Sequence, residues 1–109
     1  MHGIYLKLFV PETLRHGSAL FGTLLYEWIL QQALALGVHG GSAVRAMAGF
    51  GRHGQLHEQH FFELAGEVPI VLEFFAEDAA IERLLMLLKS ENITLFYIKF
   101  SAQGGFTSQ

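Results

Sequence analysis

Three histidines and a glutamate lie close together near the middle of the chain, and their side chains could bind a divalent metal. They are His53, His57, Glu58 and His60. Imidazole and carboxylate groups suit zinc, copper or nickel, so the three histidines are candidate metal ligands. Their spacing differs from the His-Glu-x-x-His of zinc hydrolases. On an extended segment His57 and His60 would point to opposite faces, so this metal site requires a tight turn.

Glycines and arginines in the same region could instead bind an anion. Gly49, Gly51 and Gly54 flank the start of a polar loop, and glycine lets backbone N–H groups approach an anion closely. The guanidinium groups of Arg45 and Arg52 could bind phosphate or carboxylate through two hydrogen bonds. The alternatives are a strand-end bend for the glycines, a solvated loop charge for Arg52 and an ion pair between subunits for Arg45.

An enzymatic function is not indicated by the remaining acidic residues. Glu58, Glu63 and Glu73 are candidate acids, but they form no recognisable nucleophile pattern with a hydroxyl residue and a histidine. We therefore expect a protein that is not an enzyme.

Composition excludes several other classes of protein. The chain has no cysteine, which excludes disulfides and cysteine-ligated zinc or iron–sulfur sites. Its seven Lys and Arg residues are scattered and the formal net charge is −3, so strong nucleic-acid binding is not expected. No apolar stretch reaches the roughly 20 residues of a membrane span, and the first residues lack signal-peptide features. These features predict a soluble cytoplasmic protein.

Apolar residues are more abundant than one small domain needs. Of the 109 residues, 51% are hydrophobic and 16% are charged, whereas about 25% charged residues is usual. A chain of this length can bury only about two thirds of its unfolded surface. The surplus indicates that the protein forms an oligomer.

The elements that must position these residues follow from the hydrophobic pattern. Strands are predicted at residues 3–10, 42–50, 60–64 with 69–76 after a kink at 65–67, and 94–100. Helices are predicted from a cap at Ser18 or Thr23 to Leu36, followed by Gly37 as a left-handed C-cap, and after a cap at Asp78. Gly40-Gly41 is predicted to form a turn, and residues 51–59 an exposed loop.

This order of elements predicts an α+β fold. The sequence β-α-β-β-α-β is typical of a ferredoxin-like sandwich, an antiparallel four-stranded sheet with two helices on one face. The strands carry apolar residues on both faces, so we expect equivalent sheets to pack around a symmetry axis. Residues 1–100 are predicted to form a single domain, and residues 101–109 a flexible C-terminal tail.

Residues 25–51 resemble the signature of the bacterial and archaeal family called domain of unknown function 190. The run ends in Ala48-Gly49-Phe50-Gly51, and Leu56-His57 and the segment 67–73, Glu-Val-Pro-Ile-Val-Leu-Glu, fit the same family pattern. That family is similar to the PII (GlnB-like) signalling proteins, which are ferredoxin-like trimers. Residues 49–55, Gly-Phe-Gly-Arg-His-Gly-Gln, resemble the start of the PII T-loop.

The resemblance implies a regulatory function for a homotrimer. Adenine nucleotides bind between PII subunits, and the T-loop reports the ligand state to target proteins. By this resemblance the loop 52–59 would contact an unknown target protein, and an adenine nucleotide or other anionic metabolite would bind in the cleft between subunits. The implied ligand-binding residues are Arg45, Gly49, Phe50, Gly51, Arg52, Gly54 and His57.

Two further observations bear on the ligand. The PII phosphate motif Thr-Gly-x-x-Gly-Asp-Gly-Lys-Ile-Phe is absent, and residues 90–96 read Ser-Glu-Asn-Ile-Thr-Leu-Phe instead. The alternative function is that of a divalent-metal-binding protein similar to the CutA proteins, which would use His53, His57 and His60. No cofactor follows with certainty from the sequence. An adenine nucleotide and a divalent metal are the two candidates.

Overall fold

A computed structural model describes residues 1–17, 22–49, 57–58 and 69–108. The strands are β1 (His2–Pro11), β2 (Arg15–His16), β3 (Thr23–Leu24), β4 (Gly40–Arg45), β5 (Ala48–Gly49), β6 (His57–Glu58), β7 (Pro69–Ala76) and β8 (Phe96–Gln103). The helices are α1 (Leu25–Ala35) and α2 (Asp78–Ser90).

The main sheet contains four antiparallel strands in the order β4-β7-β1-β8. Strands that follow each other through a helix are separated by one strand in this order, as a split β-α-β unit requires. The predicted α+β fold with a four-stranded antiparallel sheet and two helices is therefore confirmed.

The core lies between the sheet and the helices. Alternate residues of β1 and β7 point to this side, because successive side chains of a strand lie on opposite faces. Leu6, Leu8 and Val10 of β1 are buried against residues of α1 and α2. The other buried side chains include Leu25, Ile29, Ala33, Ile70, Leu72, Phe74, Ile81, Leu84 and Leu88. No polar or charged residue is buried among the residues that the structure describes.

Both helices begin later than their predicted caps. Leu24 is the N-cap of α1, and Thr23 is in β3, paired with His16. Glu77 is the N-cap of α2, and Asp78 is the first helical residue. Neither cap makes a side-chain hydrogen bond. The carboxylate of Asp78 instead lies in the first turn, where it interacts favourably with the helix dipole.

The glycines after α1 have two different functions. Gly37 has φ +91°, which confirms the predicted left-handed residue at the helix end. Gly40 and Gly41 begin β4 instead of forming the predicted turn. A Cβ on Gly41 would lie 2.8 Å from the Phe74 ring, so close packing across the sheet requires glycine there. The predicted strand 42–50 is also interrupted, because β4 ends at Arg45 and β5 begins at Ala48.

The last strand extends beyond its predicted end. Ser101–Gln103 belong to β8 and pair with His2–Ile4. The Gly104 N–H then donates to the Met1 carbonyl at 2.9 Å. The first residues of the predicted tail are therefore part of the sheet. Among the described residues, no helix is long and apolar enough to cross a membrane.

Candidate functional site

Arg45 is the last residue of β4 and forms an ion pair within its own chain. Its Nη2 contacts the carboxylate of Glu12. Register explains this contact: Val10 and Arg45 both pair with Ile70, so the chain that leaves β1 passes beside Arg45. Glu12 is the less exposed partner, with 24% of its side chain accessible against 45% for Arg45. Arg45 therefore has an intrachain ion-pair partner close to the candidate loop.

Gly49 and His57 are brought together by a short antiparallel ladder. Gly49 pairs with His57, and Ala48 pairs with Glu58. His57 and Glu58 were predicted to lie in an exposed loop, but they form β6. The reason is a long-range pairing of backbone groups that polar side chains do not reveal. The ladder β5–β6 closes the intervening chain into a loop, and we call this ladder the loop base.

Gly49 has no conformational need for glycine. Its φ is not positive, and a Cβ there would meet nothing within 4 Å. The open space beside it is consistent with a ligand that approaches the backbone, which was the sequence-based argument for this residue. An alanine at this position should therefore leave the fold intact.

Several predicted site residues lie outside the described part of the chain. They are Phe50, Gly51, Arg52, His53, Gly54 and His60. Of the predicted site, the structure thus describes Arg45, Gly49 and the backbone of His57. Within residues 1–17, 22–49, 57–58 and 69–108, no group of three or more His, Asp or Glu residues could hold a metal.

A polar cluster that was not predicted from the sequence lies at the end of α2. The His16 ring stacks on Trp28 of α1, with ring centroids 3.8 Å apart and an angle of 11° between planes. His16 Nε2 lies 2.7 Å from Glu91 Oε1, where the imidazole N–H can donate to the carboxylate. This cluster joins the β2–β3 hairpin to both helices. Trp28 and Glu91 are distant in sequence from His16, so no local spacing indicated the contact.

A second polar contact joins β8 to α2. Lys99 Nζ donates to Glu82 Oε1 at 2.6 Å, and this hydrogen bond raises the pKa of Lys99 above its ordinary value. The pair lies in a groove of about 380 Å³ that also includes Leu85, Met86 and Tyr97. A shallower cavity of about 250 Å³ includes Tyr5, Ser42, Glu73 and Phe75 on the opposite face of the sheet. Neither cavity is lined by residues of the loop base.

Comparison with protein families identifies the chain. The model of the DUF190 family, described as an uncharacterized ACR, matches residues 3–94. The chain belongs to the DUF190 family. A UPF0166 protein of Aquifex aeolicus (strain VF5) is 30% identical over 87 residues, which cover 80% of this chain and 79% of the relative. The predicted family is thereby confirmed.

Solved structures show which fold this DUF190 protein shares. CPII, a nitrogen regulatory PII-like protein from Thiomonas intermedia K12, was solved with ADP, AMP and bicarbonate. It matches with a TM-score of 0.66 and 17% identity, covering 97% of this chain and 91% of CPII. A protein of Thermus thermophilus, described as PII-like in signalling, matches with a TM-score of 0.59 and 14% identity over 93% of this chain and 86% of its own. These similarities show a PII-like fold.

Proposed function

We propose that this DUF190 protein is a regulatory homotrimer, not an enzyme, which binds an adenine nucleotide or another small anionic metabolite between subunits. The observation that carries the proposal is the PII-like fold shared with CPII, whose structure contains ADP, AMP and bicarbonate. The ligand would bind at the loop base, and the loop 52–59 would transmit its presence to a target protein.

The loop base has the geometry that such a switch needs. The β5–β6 ladder has only two residue pairs, so it contributes few backbone hydrogen bonds and can open at low free-energy cost. Gly49 leaves space beside its backbone, and its N–H belongs to the segment that leads into the loop. A ligand bound here would stabilise one arrangement of the loop over others, which is how occupancy shifts a conformational population.

Arg45 supplies a positive charge whose present partner can be exchanged. Its ion pair with Glu12 is partly exposed, and such pairs contribute only about 0–1 kcal/mol. A phosphate or carboxylate that binds the guanidinium through two hydrogen bonds forms a stronger interaction. The ligand anion would therefore displace Glu12 from Arg45, with Arg52, Gly51 and Gly54 as further predicted contacts and His57 assisting.

The absence of the PII phosphate motif from residues 90–96 favours ligands with few phosphates. Glu91 lies in this segment, and its carboxylate is held by His16. A carboxylate there would repel a polyphosphate chain. We therefore expect AMP or ADP to bind more tightly than ATP.

Isothermal titration calorimetry with AMP, ADP, ATP, a cyclic nucleotide and bicarbonate tests the proposal. We expect saturable binding of at least one of them, and the R45Q and R52A substitutions should each weaken it about 10-fold or more. The E12Q substitution should strengthen binding, because it removes the competing carboxylate. The matched control is R83Q: Arg83 donates to the Leu36 carbonyl beyond the opposite end of β4, so its loss should leave affinity unchanged.

Two results would contradict the proposal. One is the absence of saturable binding of all five compounds to the intact protein, with R52A behaving like the parent. The other is an equal loss of affinity in R45Q and R83Q, because a general effect of lost positive charge would then explain both. Sedimentation of the same samples tests the homotrimer directly.

A further inference from the structure

The sheet face opposite the helices is apolar apart from two charged residues. Its described strand positions alternate with the core positions, as the register of β1, β4, β7 and β8 requires. Lys7 and Glu73 are the two charged residues among these positions. The apolar ones are Tyr5, Phe9, Val44, Val71, Phe75, Phe96, Ile98 and Phe100. We call this surface the open face.

Lys7 and Glu73 lie side by side at the centre of the open face. They are direct register partners on the two central strands, β1 and β7. Ser42 is opposite Glu73 on one edge strand, and Ile98 is opposite Lys7 on the other. Both charged residues are half-buried in the isolated chain. A single row across the sheet thus contains the only charges of this surface that the described strands carry.

Aromatic pairs surround this row on both sides. Tyr5 stacks on Phe100 with ring centroids 5.1 Å apart, and Phe9 packs on Phe96 at 5.6 Å. Even so, Phe96 is 69% exposed and Phe100 is 50% exposed. A patch of this kind is unusual on a monomeric surface and indicates an interface.

Charge complementarity identifies what covers the face. One positive and one negative side chain stand side by side, so the face has no net charge and is complementary to a copy of itself. A nucleic acid or an anionic membrane would require an excess of positive charge. In a cyclic arrangement, the same surface meets the next copy through rotation. Lys7 of one copy can then lie against Glu73 of the next.

We propose that Lys7 of one subunit pairs with Glu73 of the next and that these pairs fix the number and register of subunits. The inference rests on the proposed homotrimer. Apolar contacts are non-directional, and by themselves they would allow the sheets to pack in several registers. A charge buried in such an interface must be paired, so only arrangements that join Lys7 to Glu73 are tolerated. Polar residues in apolar interfaces can select oligomeric state in this way.

The test compares oligomeric states by sedimentation velocity and native mass spectrometry of the full chain. The single variants K7M and E73L each leave one buried charge unpaired. Since breaking a buried pair costs about 3–5 kcal/mol, each should weaken assembly at least about 100-fold. The double variant K7M/E73L should assemble again, but into a mixture of stoichiometries. The charge-swapped variant K7E/E73K should restore the single stoichiometry of the parent.

The matched control is K99M, which removes a lysine from the helix side of the same sheet. It should assemble like the parent, and circular dichroism should show the parent's secondary structure in every variant. Single variants that assemble within about threefold of the parent would overturn the inference. A charge-swapped variant that assembles no better than the singles would also overturn it. A monomeric parent would refute the homotrimer itself, whereas an assembled parent that binds no nucleotide would refute only the ligand.

Discussion

The two faces of the central sheet are built for different partners. On the helix side, Leu6, Leu8, Leu72 and Phe74 are at most 2% exposed. On the open face, Phe96 and Phe100 remain at least half exposed, and Lys7 and Glu73 stand at the centre. The first face is complete within one chain. The second has the apolar composition of an interior with no element of its own chain to cover it.

This contrast shows where the surplus of apolar residues is used. A core with no charged group folds one subunit, because apolar burial alone needs no specific partner. An interface between identical copies must also select one arrangement, and a polar pair can provide that selection. The two faces should therefore respond differently to substitution: the helix side through the stability of the subunit, and the open face through assembly.

The largest effect is expected on the helix side. Phe74 is 2% exposed in the centre of the core, so F74A should lower the free energy of unfolding by about 3–5 kcal/mol. Urea denaturation followed by circular dichroism measures this. The contrast between the faces would be wrong if F74A left stability unchanged and only altered the sedimentation coefficient.

The open face should give the opposite result. In F100S, one exposed ring and its stacking on Tyr5 are lost, which should reduce the stability of the subunit by only about 1 kcal/mol. Assembly should weaken strongly, and the melting temperature should no longer depend on protein concentration, as it does when subunits associate. M86S serves as the control, because Met86 is equally exposed on α2. Equal losses of assembly in both variants would contradict the assignment of the interface.

Most of the fold could be predicted because local signals were sufficient. Strand β7 has its predicted bounds, since Pro69 marks its start and its side chains are apolar on both faces. The spacing of Ile81, Leu84 and Leu88 placed the buried face of α2 correctly. Gly41 was misread because its requirement is the Phe74 ring across the sheet. Glycine pairs also mark turns, and the sequence does not distinguish the two.

The candidate site was less predictable because its contacts depend on register. The need for a partner near Arg45 followed from its strand position, but the identity of Glu12 required the pairing of both β1 and β4 with Ile70. The contact of His16 with Trp28 and Glu91 likewise joins three separate segments. Open-face positions could be assigned by alternation along single strands, although the juxtaposition of Lys7 and Glu73 again needed the register.

The His16 cluster offers a more moderate test on the helix side. Substitution H16A removes the ring on Trp28 and the hydrogen bond to Glu91. Each such interaction is worth about 1 kcal/mol, so we expect a loss of about 1–2 kcal/mol in subunit stability with assembly unchanged. A double-mutant cycle with E91Q isolates the hydrogen bond. Additive losses would show that His16 and Glu91 do not interact, and H39A is the control for removing an exposed histidine.

The smallest effect is expected from the lysine–glutamate pair on the helix side. The hydrogen bond from Lys99 to Glu82 raises the pKa of Lys99, so folding favours its protonated form. The resulting stabilisation is complete below the ordinary lysine pKa of about 10.4. It is lost as the pH rises through the higher pKa of the folded state. Parent and E82Q should therefore differ slightly in melting temperature at pH 8 and converge above pH 11.

The comparison with the open face makes this small effect informative. Both side chains of the Lys99–Glu82 pair are more than a third exposed, so water screens the interaction. Lys7 and Glu73 would be removed from water by assembly, where the same two charges interact more strongly and tolerate no missing partner. We therefore expect E82Q to leave the sedimentation coefficient unchanged at every pH. If E82Q dissociated the subunits as E73L should, the location of a charged pair on one face or the other would not decide its role.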